Sequence, residues 1–78
     1  MDNIKVDESL NLRGVPCPVN SAKTIVRLEM MDADEVLEVF LDDGEPIENV
    51  PESVEEEGFS IIDKAQVDEK TWKLLIKA

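Results

Sequence analysis

The segment Leu10–Pro18, with the sequence Leu-Asn-Leu-Arg-Gly-Val-Pro-Cys-Pro, joins two kinds of periodicity in this chain of 78 residues. Its two leucines alternate with polar residues, which is the period-2 pattern of a short, half-buried strand. Gly14 ends that pattern, and the prolines on either side of Cys17 restrict the backbone around it. Pro18 suits the first turn of a helix, where its missing N–H costs nothing. The segment therefore predicts a strand, a stiff connection and the start of a helix.

A helical pattern follows, from Pro18 to about Met31. Four apolar residues lie within about 80° of one another on a helical wheel at 100° per residue, with Ile25 beside them. They are Val19, Ala22, Val26 and Met30. Ser21, Thr24 and Arg27 lie toward the other side. The pattern predicts an amphipathic helix that packs through its apolar stripe.

The remaining sequence predicts three more strands and a second helix. The nearly continuous apolar run Val36–Leu41 is typical of a central strand. Apolar residues at helical spacing predict a helix from about Pro46 to Glu57, which Pro51 divides into a first turn and a main helix and which Gly58 ends. Two further strands, Phe59–Lys64 and Thr71–Lys77, are joined by a turn that contains Gln66, Asp68, Glu69 and Lys70.

The predicted element order is β-α-β-α-β-β. Right-handed crossovers place both helices on one face of a mixed four-stranded sheet, which gives a two-layer α/β (α+β) sandwich. We expect one domain over residues 1–78, with residues 1–7 partly disordered.

The composition excludes several classes of function. The chain has 8 Lys and Arg against 19 Asp and Glu, a formal net charge of −11. A nucleic-acid binder or a polybasic membrane anchor needs clustered cations. A single Cys cannot form an internal disulfide, and the absence of His removes His-based catalysis and the usual zinc sites. We expect a cytoplasmic monomer that uses no metal or cofactor and binds neither nucleic acid nor membranes.

The acidic residues are unevenly distributed. Ser9 to Leu28 contains no Asp or Glu and three cations, whereas the other 58 residues hold 5 cations and 19 anions, or −14. The only cysteine, Cys17, lies near the middle of this positive window. Chance placement with ordinary solvation of a helix is one explanation. The other is stabilisation of a thiolate, because nearby cations lower the pKa of a thiol from about 8.5.

Cys17 is the candidate nucleophile because the predicted elements place it at the N-terminus of the first helix. Unpaired backbone N–H groups and the helix dipole favour an anion there. The residues that would support a thiolate are Arg13, Pro18, Asn20, Lys23 and Arg27. A buried cysteine that fills the core is the alternative. Without a His base or a second Cys, an activated thiolate is suited to accepting a group and passing it on.

The segment Leu10–Pro18 resembles the opening "L-D-x-R-G-x-x-C-P" signature of the TusA-like (SirA-like) sulfur-carrier proteins. The similarity continues through Leu41–Gly44, Ile47–Pro51 and Glu57–Phe59, so it covers the chain from about Glu8.

Membership of this family would imply the same β-α-β-α-β-β sandwich and a sulfane sulfur held on Cys17 as a persulfide. A cysteine desulfurase or a rhodanese would donate the sulfur, and a second protein would accept it. The family usually has C-P-x-P at this point, whereas Asn20 stands in the place of the second proline here.

A second interpretation is a non-catalytic, acidic interaction or regulatory module. The cluster Glu55, Glu56 and Glu57 ends the second predicted helix, where the helix dipole prefers cations. Such a cluster is either a solvated face or a docking surface for a basic partner.

Overall fold

A computed structural model of the chain describes residues 6–16 and 19–78. Four strands and two helices follow one another in the predicted order. They are β1 (Glu8–Asn11), α1 (Val19–Met30), β2 (Val36–Asp42), α2 (Glu45–Glu56), β3 (Ser60–Asp68) and β4 (Thr71–Lys77).

The four strands form one mixed sheet in the order β1-β2-β4-β3. β1 is parallel to β2, whereas β4 is antiparallel to both of its neighbours. β2 is therefore a central strand, as predicted, and its Leu37, Val39 and Leu41 are fully buried. α1 and α2 contact each other, and buried residues of both helices join the core beside Leu74 and Ile76 of β4. The predicted two-layer sandwich is confirmed.

α2 is a single helix, so the expected division at Pro51 is wrong. Proline removes one backbone donor from a helix interior, but Ile47, Val50 and Val54 are buried on both sides of it and keep the helix continuous. Its end is as predicted: Gly58 has φ 98°. The N–H of Gly58 bonds to Glu55 O and that of Phe59 to Val54 O, at 3.0 and 3.2 Å, which is the Schellman pattern.

β3 is longer than the sequence predicts. The polar residues from Gln66 onward were expected in a turn, yet the strand continues to Asp68 and only Glu69 and Lys70 lie between β3 and β4. β3 is an edge strand and most of it is exposed. Polar side chains therefore fit a strand at this position.

α1 faces the core with the side opposite to the one predicted. Its buried residues are Asn20, Ser21, Thr24 and Leu28, whereas Val19, Ala22, Val26 and Met30 are exposed. Leu28 anchors the helix in the core. The Thr24 hydroxyl donates to the Asn20 carbonyl at 2.9 Å, so its burial leaves no unpaired hydroxyl donor.

The expectation that residues 1–7 are partly disordered can be compared with the structure only at residues 6 and 7, because residues 1–5 lie outside the described part of the chain. Asp7 is tied to β2: its N–H donates to Val36 O at 2.9 Å, and its Oδ2 accepts from the N–H of Val36 at 2.8 Å.

Across residues 6–16 and 19–78, neither helix has the length and apolarity that a membrane crossing requires.

Candidate functional site

Cys17 and Pro18 lie outside the described residues, so the site is built from the segments on either side of them. The approach to Cys17 is fixed by backbone bonds. Leu12 is almost fully buried, and its N–H donates to Phe40 O at 2.9 Å. The N–H of Val15 then bonds to Leu12 O at 3.2 Å and closes a four-residue turn. Gly14, with φ 80°, occupies the third position of this turn.

A carboxylate from β2 holds the same turn. The N–H of Gly14 donates to Oδ2 of Asp42 at 2.6 Å. Asp42, Val15 and Pro16 also line an open depression of about 540 Å³ that the first residues of α2 close on the other side. Asp42 was not among the site residues predicted from the sequence, although Leu41–Gly44 was one of the segments that carried the family resemblance.

Arg13 points back along the chain. Its backbone N–H and its Nε both donate to Oδ1 of Asn11, at 3.1 and 3.2 Å. With Asp42 and Asp68 it lines an open groove of about 760 Å³ at the end of the sheet. The backbone N–H of Lys70 is the main cause that lowers the pKa of Asp68, and the charge of Arg13 contributes to the same shift.

Asn20 is fully buried in the first turn of α1. Its backbone N–H donates to Pro16 O at 3.1 Å, an α-helical bond that joins the described residues on both sides of Cys17. Its Oδ1 accepts from the N–H of Ser21 at 2.7 Å. Among the described residues, no acceptor faces its Nδ2. Asn20 therefore follows the candidate nucleophile by three positions in the sequence, and its own side chain is beneath the surface.

Lys23 and Arg27 lie on a different surface from Arg13. Both line a groove along α1, and Arg27 is about 12 Å further along the helix axis than Val19. Nη1 of Arg27 pairs with Oε1 of Glu8 at 2.6 Å. The three cations of the positive window are thus not brought together, and carboxylates from outside the window, Glu8 and Asp42, contact it. Neither pairing is visible in sequence order, because each joins residues at least nineteen positions apart.

Glu55, Glu56 and Glu57 are exposed at the C-terminal end of α2. The depression beside Pro16 lies at the opposite end of that helix, at Glu45 and Pro46. The two ends are separated by about 16 Å of helix. The acidic cluster is therefore a surface distinct from the approach to Cys17.

Comparison with known proteins gives consistent matches. The model of the family described as "Sulfurtransferase TusA" matches residues 8–78. A "Putative sulfur carrier protein" of Archaeoglobus fulgidus is 39% identical over 74 residues, 95% of this chain and 84% of that protein. The "Putative sulfur carrier protein YedF" of Escherichia coli is 32% identical over 77 residues, 99% of each chain.

A solved structure has the same fold. The crystal structure of a SirA-like protein from Desulfitobacterium hafniense superimposes with a TM-score of 0.78 at 21% identity, over 91% of this chain and 96% of that one. The family match extends from the first residue of β1 to the end of the chain and includes the whole β1–α1 connection. On these grounds the chain belongs to the TusA sulfurtransferase family.

Proposed function

We propose that this protein is a sulfur carrier that holds sulfane sulfur as a persulfide on Cys17 and passes it from a donor protein to an acceptor protein. The observation that carries the proposal is the family match over residues 8–78, which includes the only cysteine of the chain. The donor would be a cysteine desulfurase or a rhodanese, and the relay would operate in the cytoplasm, where a lone thiol stays reduced.

The surroundings of Cys17 support this role. Pro16 and Val19, the nearest described residues on either side, are both exposed. The chain before Cys17 is held by the Gly14–Asp42 bond and the chain after it by the bond from Asn20 to Pro16. Exposed residues on both sides of a reactive group are open to a partner, and holding those flanking segments in place reduces the entropy lost on docking.

The chemistry needs only a thiolate. The sulfur of Cys17 attacks the terminal sulfur of the donor's persulfide, R–S–SH. A new S–S bond forms at Cys17 while the donor's S–S bond breaks, and the donor leaves as the thiolate R–S⁻. No net oxidation occurs, because one persulfide is exchanged for another. Delivery to the acceptor repeats the step in the other direction.

The first test measures loading directly. The protein is incubated with a cysteine desulfurase and cysteine and is weighed by mass spectrometry under non-reducing conditions. We expect the wild type to gain the mass of one or more sulfur atoms and Cys17→Ser to gain none. An unchanged mass for the wild type would contradict the proposal, as would the same gain on both proteins.

Alkylation kinetics test the state of the thiol. The rate of reaction of Cys17 with iodoacetamide, followed against pH, gives the pKa of the thiol. A carrier is expected to have a pKa below about 8, because the thiolate is the reactive species. Arg13→Gln and Lys23→Gln measure separately how much each cation contributes to that value.

The exposed acidic cluster Glu55–Glu57 favours a second candidate function, a module that docks on a basic partner. Reversing the three glutamates to lysine is expected to abolish such a complex, and added salt is expected to weaken the wild-type complex. A complex that is indifferent to both changes would exclude this function. The two functions are compatible, since a carrier also has to dock.

A further inference from the structure

α1 exposes an apolar face, consisting of Val19, Ala22, Val26 and Met30, which we term the outer face. Val19 is 43% exposed and Met30 77%. With half-buried Leu10 of β1, these residues line a groove of about 440 Å³. Three of the six large hydrophobic side chains exposed in the described part of the chain belong to this face. Exposed apolar residues gathered in one groove are typical of a docking surface.

The two charged residues that line the groove are both cations. Lys23 and Arg27 line it, and no carboxylate among the described residues does so. This is unexpected in a chain with more than twice as many acids as bases. Two cations are too few to hold a nucleic acid or an anionic membrane against a net charge of −11. They are sufficient to orient a protein whose carboxylates flank an apolar centre.

One carboxylate already occupies this surface. The ion pair between Glu8 and Arg27 at 2.6 Å is half-exposed, with about 40% of each side chain accessible. Exposed pairs of this kind contribute roughly 0–1 kcal/mol, so another carboxylate can replace Glu8 at small cost. The pair with Glu8 thus shows that a carboxylate can bind Arg27 at this surface. Glu8 would compete with a carboxylate of the partner for the same guanidinium group.

We propose that the outer face of α1 docks an acidic protein partner, with an apolar protrusion in the groove and a partner carboxylate in the place of Glu8 on Arg27. The site begins two residues after Cys17, so on the basis of the proposed function its occupant is a sulfur donor or acceptor. The proposal separates this surface from Glu55–Glu57, which carries the opposite charge at the end of the other helix.

A defined probe tests the surface without sulfur chemistry. The Cys17→Ser protein is titrated, by NMR, with an amphipathic helical peptide that carries leucines on one face flanked by glutamates. A twin peptide with lysines in place of the glutamates is the control ligand. We expect the glutamate peptide to shift the resonances of Ala22, Val26 and Met30, and the lysine twin not to shift them.

Matched variants sharpen the titration. Val26→Ser is expected to weaken binding roughly tenfold, because most of the apolar gain from burying one valine is lost. Val67→Ser is the control, since Val67 is 54% exposed against 55% for Val26 but lies on β3. Glu8→Gln is expected to tighten binding about threefold by freeing Arg27, and Glu52→Gln to leave it unchanged.

Several results would overturn the proposal. The lysine twin could bind the outer face as tightly, or Val26→Ser could bind as well as Val67→Ser. Shifts of the same resonances with protein concentration alone would assign the face to a second copy of this chain. Shifts caused by phosphatidylglycerol vesicles would assign it to a membrane.

Sulfur loading then connects the surface to the proposed function. With a desulfurase and cysteine, Val26→Ser is expected to raise the KM for the carrier about tenfold with kcat unchanged. Loading by a small persulfide such as glutathione persulfide is expected to be equal in both proteins. A wild type that no donor loads would refute the proposed function, and the peptide titration would still decide the docking surface.

Discussion

Gly44 precedes α2 with φ 100° and ψ −134°, a backbone conformation that residues other than glycine rarely adopt. A Cβ built at Gly44 has no atom within 4 Å apart from those of Gly44 and its two chain neighbours, so substitution causes backbone strain without a clash. We expect Gly44→Ala to lower the free energy of unfolding by about 1–3 kcal/mol. Urea unfolding followed by the fluorescence of Trp72, the only tryptophan, measures this. Glu52→Ala, on the exposed side of α2, is the control, and equal losses in the two variants would contradict the assigned strain.

The carboxyl group of Asp68 is expected to make the free energy of unfolding depend on pH. The N–H of Lys70, which donates to its Oδ1 at 2.8 Å, is the main cause that lowers its pKa from 3.8. A carboxyl whose pKa is lower in the folded state stabilises the protein above its unfolded pKa. That contribution is lost as the pH falls through the folded value.

Asp68→Asn removes this titration and keeps an acceptor at the same position. We expect the variant to melt at a lower temperature than the wild type at pH 7 and the difference to narrow as the pH falls below 3.8. Glu69→Gln removes the same charge from the same hairpin and serves as the control. A difference for Asp68→Asn that is constant with pH would exclude the linkage.

The orientation of α1 makes a prediction at the scale of the element. Leu28 is buried against the core, whereas Val26 and Met30 are exposed. We expect Leu28→Ala to lower the free energy of unfolding by about 2–5 kcal/mol and Val26→Ala or Met30→Ala to change it by less than about 0.5 kcal/mol. Urea unfolding of the three variants distinguishes this orientation from the one that the helical wheel predicts, which would give the opposite order.

An element could be predicted from the sequence where local signals determine it, and could not be predicted where tertiary packing determines it. The strand β2 and the end of α2 at Gly58 depend on local signals, an apolar run and a glycine at C′, and both were predicted. The face of α1 depends on which stripe fits a neighbour. Here one leucine and small polar side chains such as Thr24 lie beneath the helix, and the larger apolar stripe stays outside. The hydrophobic periodicity of the helix does not indicate which of its two faces packs against the core.

The candidate site likewise has features that local sequence predicts and features that depend on tertiary packing. Cys17 and the connection around it could be predicted from residues that are adjacent in sequence. Asp42 and Glu8, which bond to Gly14 and Arg27, could not, because their positions depend on the pairing of β1 with β2 and the packing of α1 against the sheet. An acid-free stretch of sequence therefore did not become an acid-free region of the folded protein.

At the scale of the whole molecule, the net charge of −11 acts against the fold. Like charges repel in the compact state, and the described residues contain only two ion pairs, Arg27–Glu8 and Lys77–Asp34. Salt screens such repulsion over a Debye length of about 10 Å at 0.1 M. We therefore expect the free energy of unfolding to rise as NaCl is increased from low concentration.

Charge variants separate screening from general effects of salt. Changing Glu55, Glu56 and Glu57 together to glutamine reduces the net charge from −11 to −8 and removes anions from the negative end of the α2 dipole. We expect this variant to be more stable at low salt, by about 1 kcal/mol, and less sensitive to NaCl. Lys70→Gln makes the chain more negative and should steepen the dependence. If all three proteins responded equally to NaCl, the salt effect would come from solvent exclusion, and repulsion among the acidic residues would have no measurable cost.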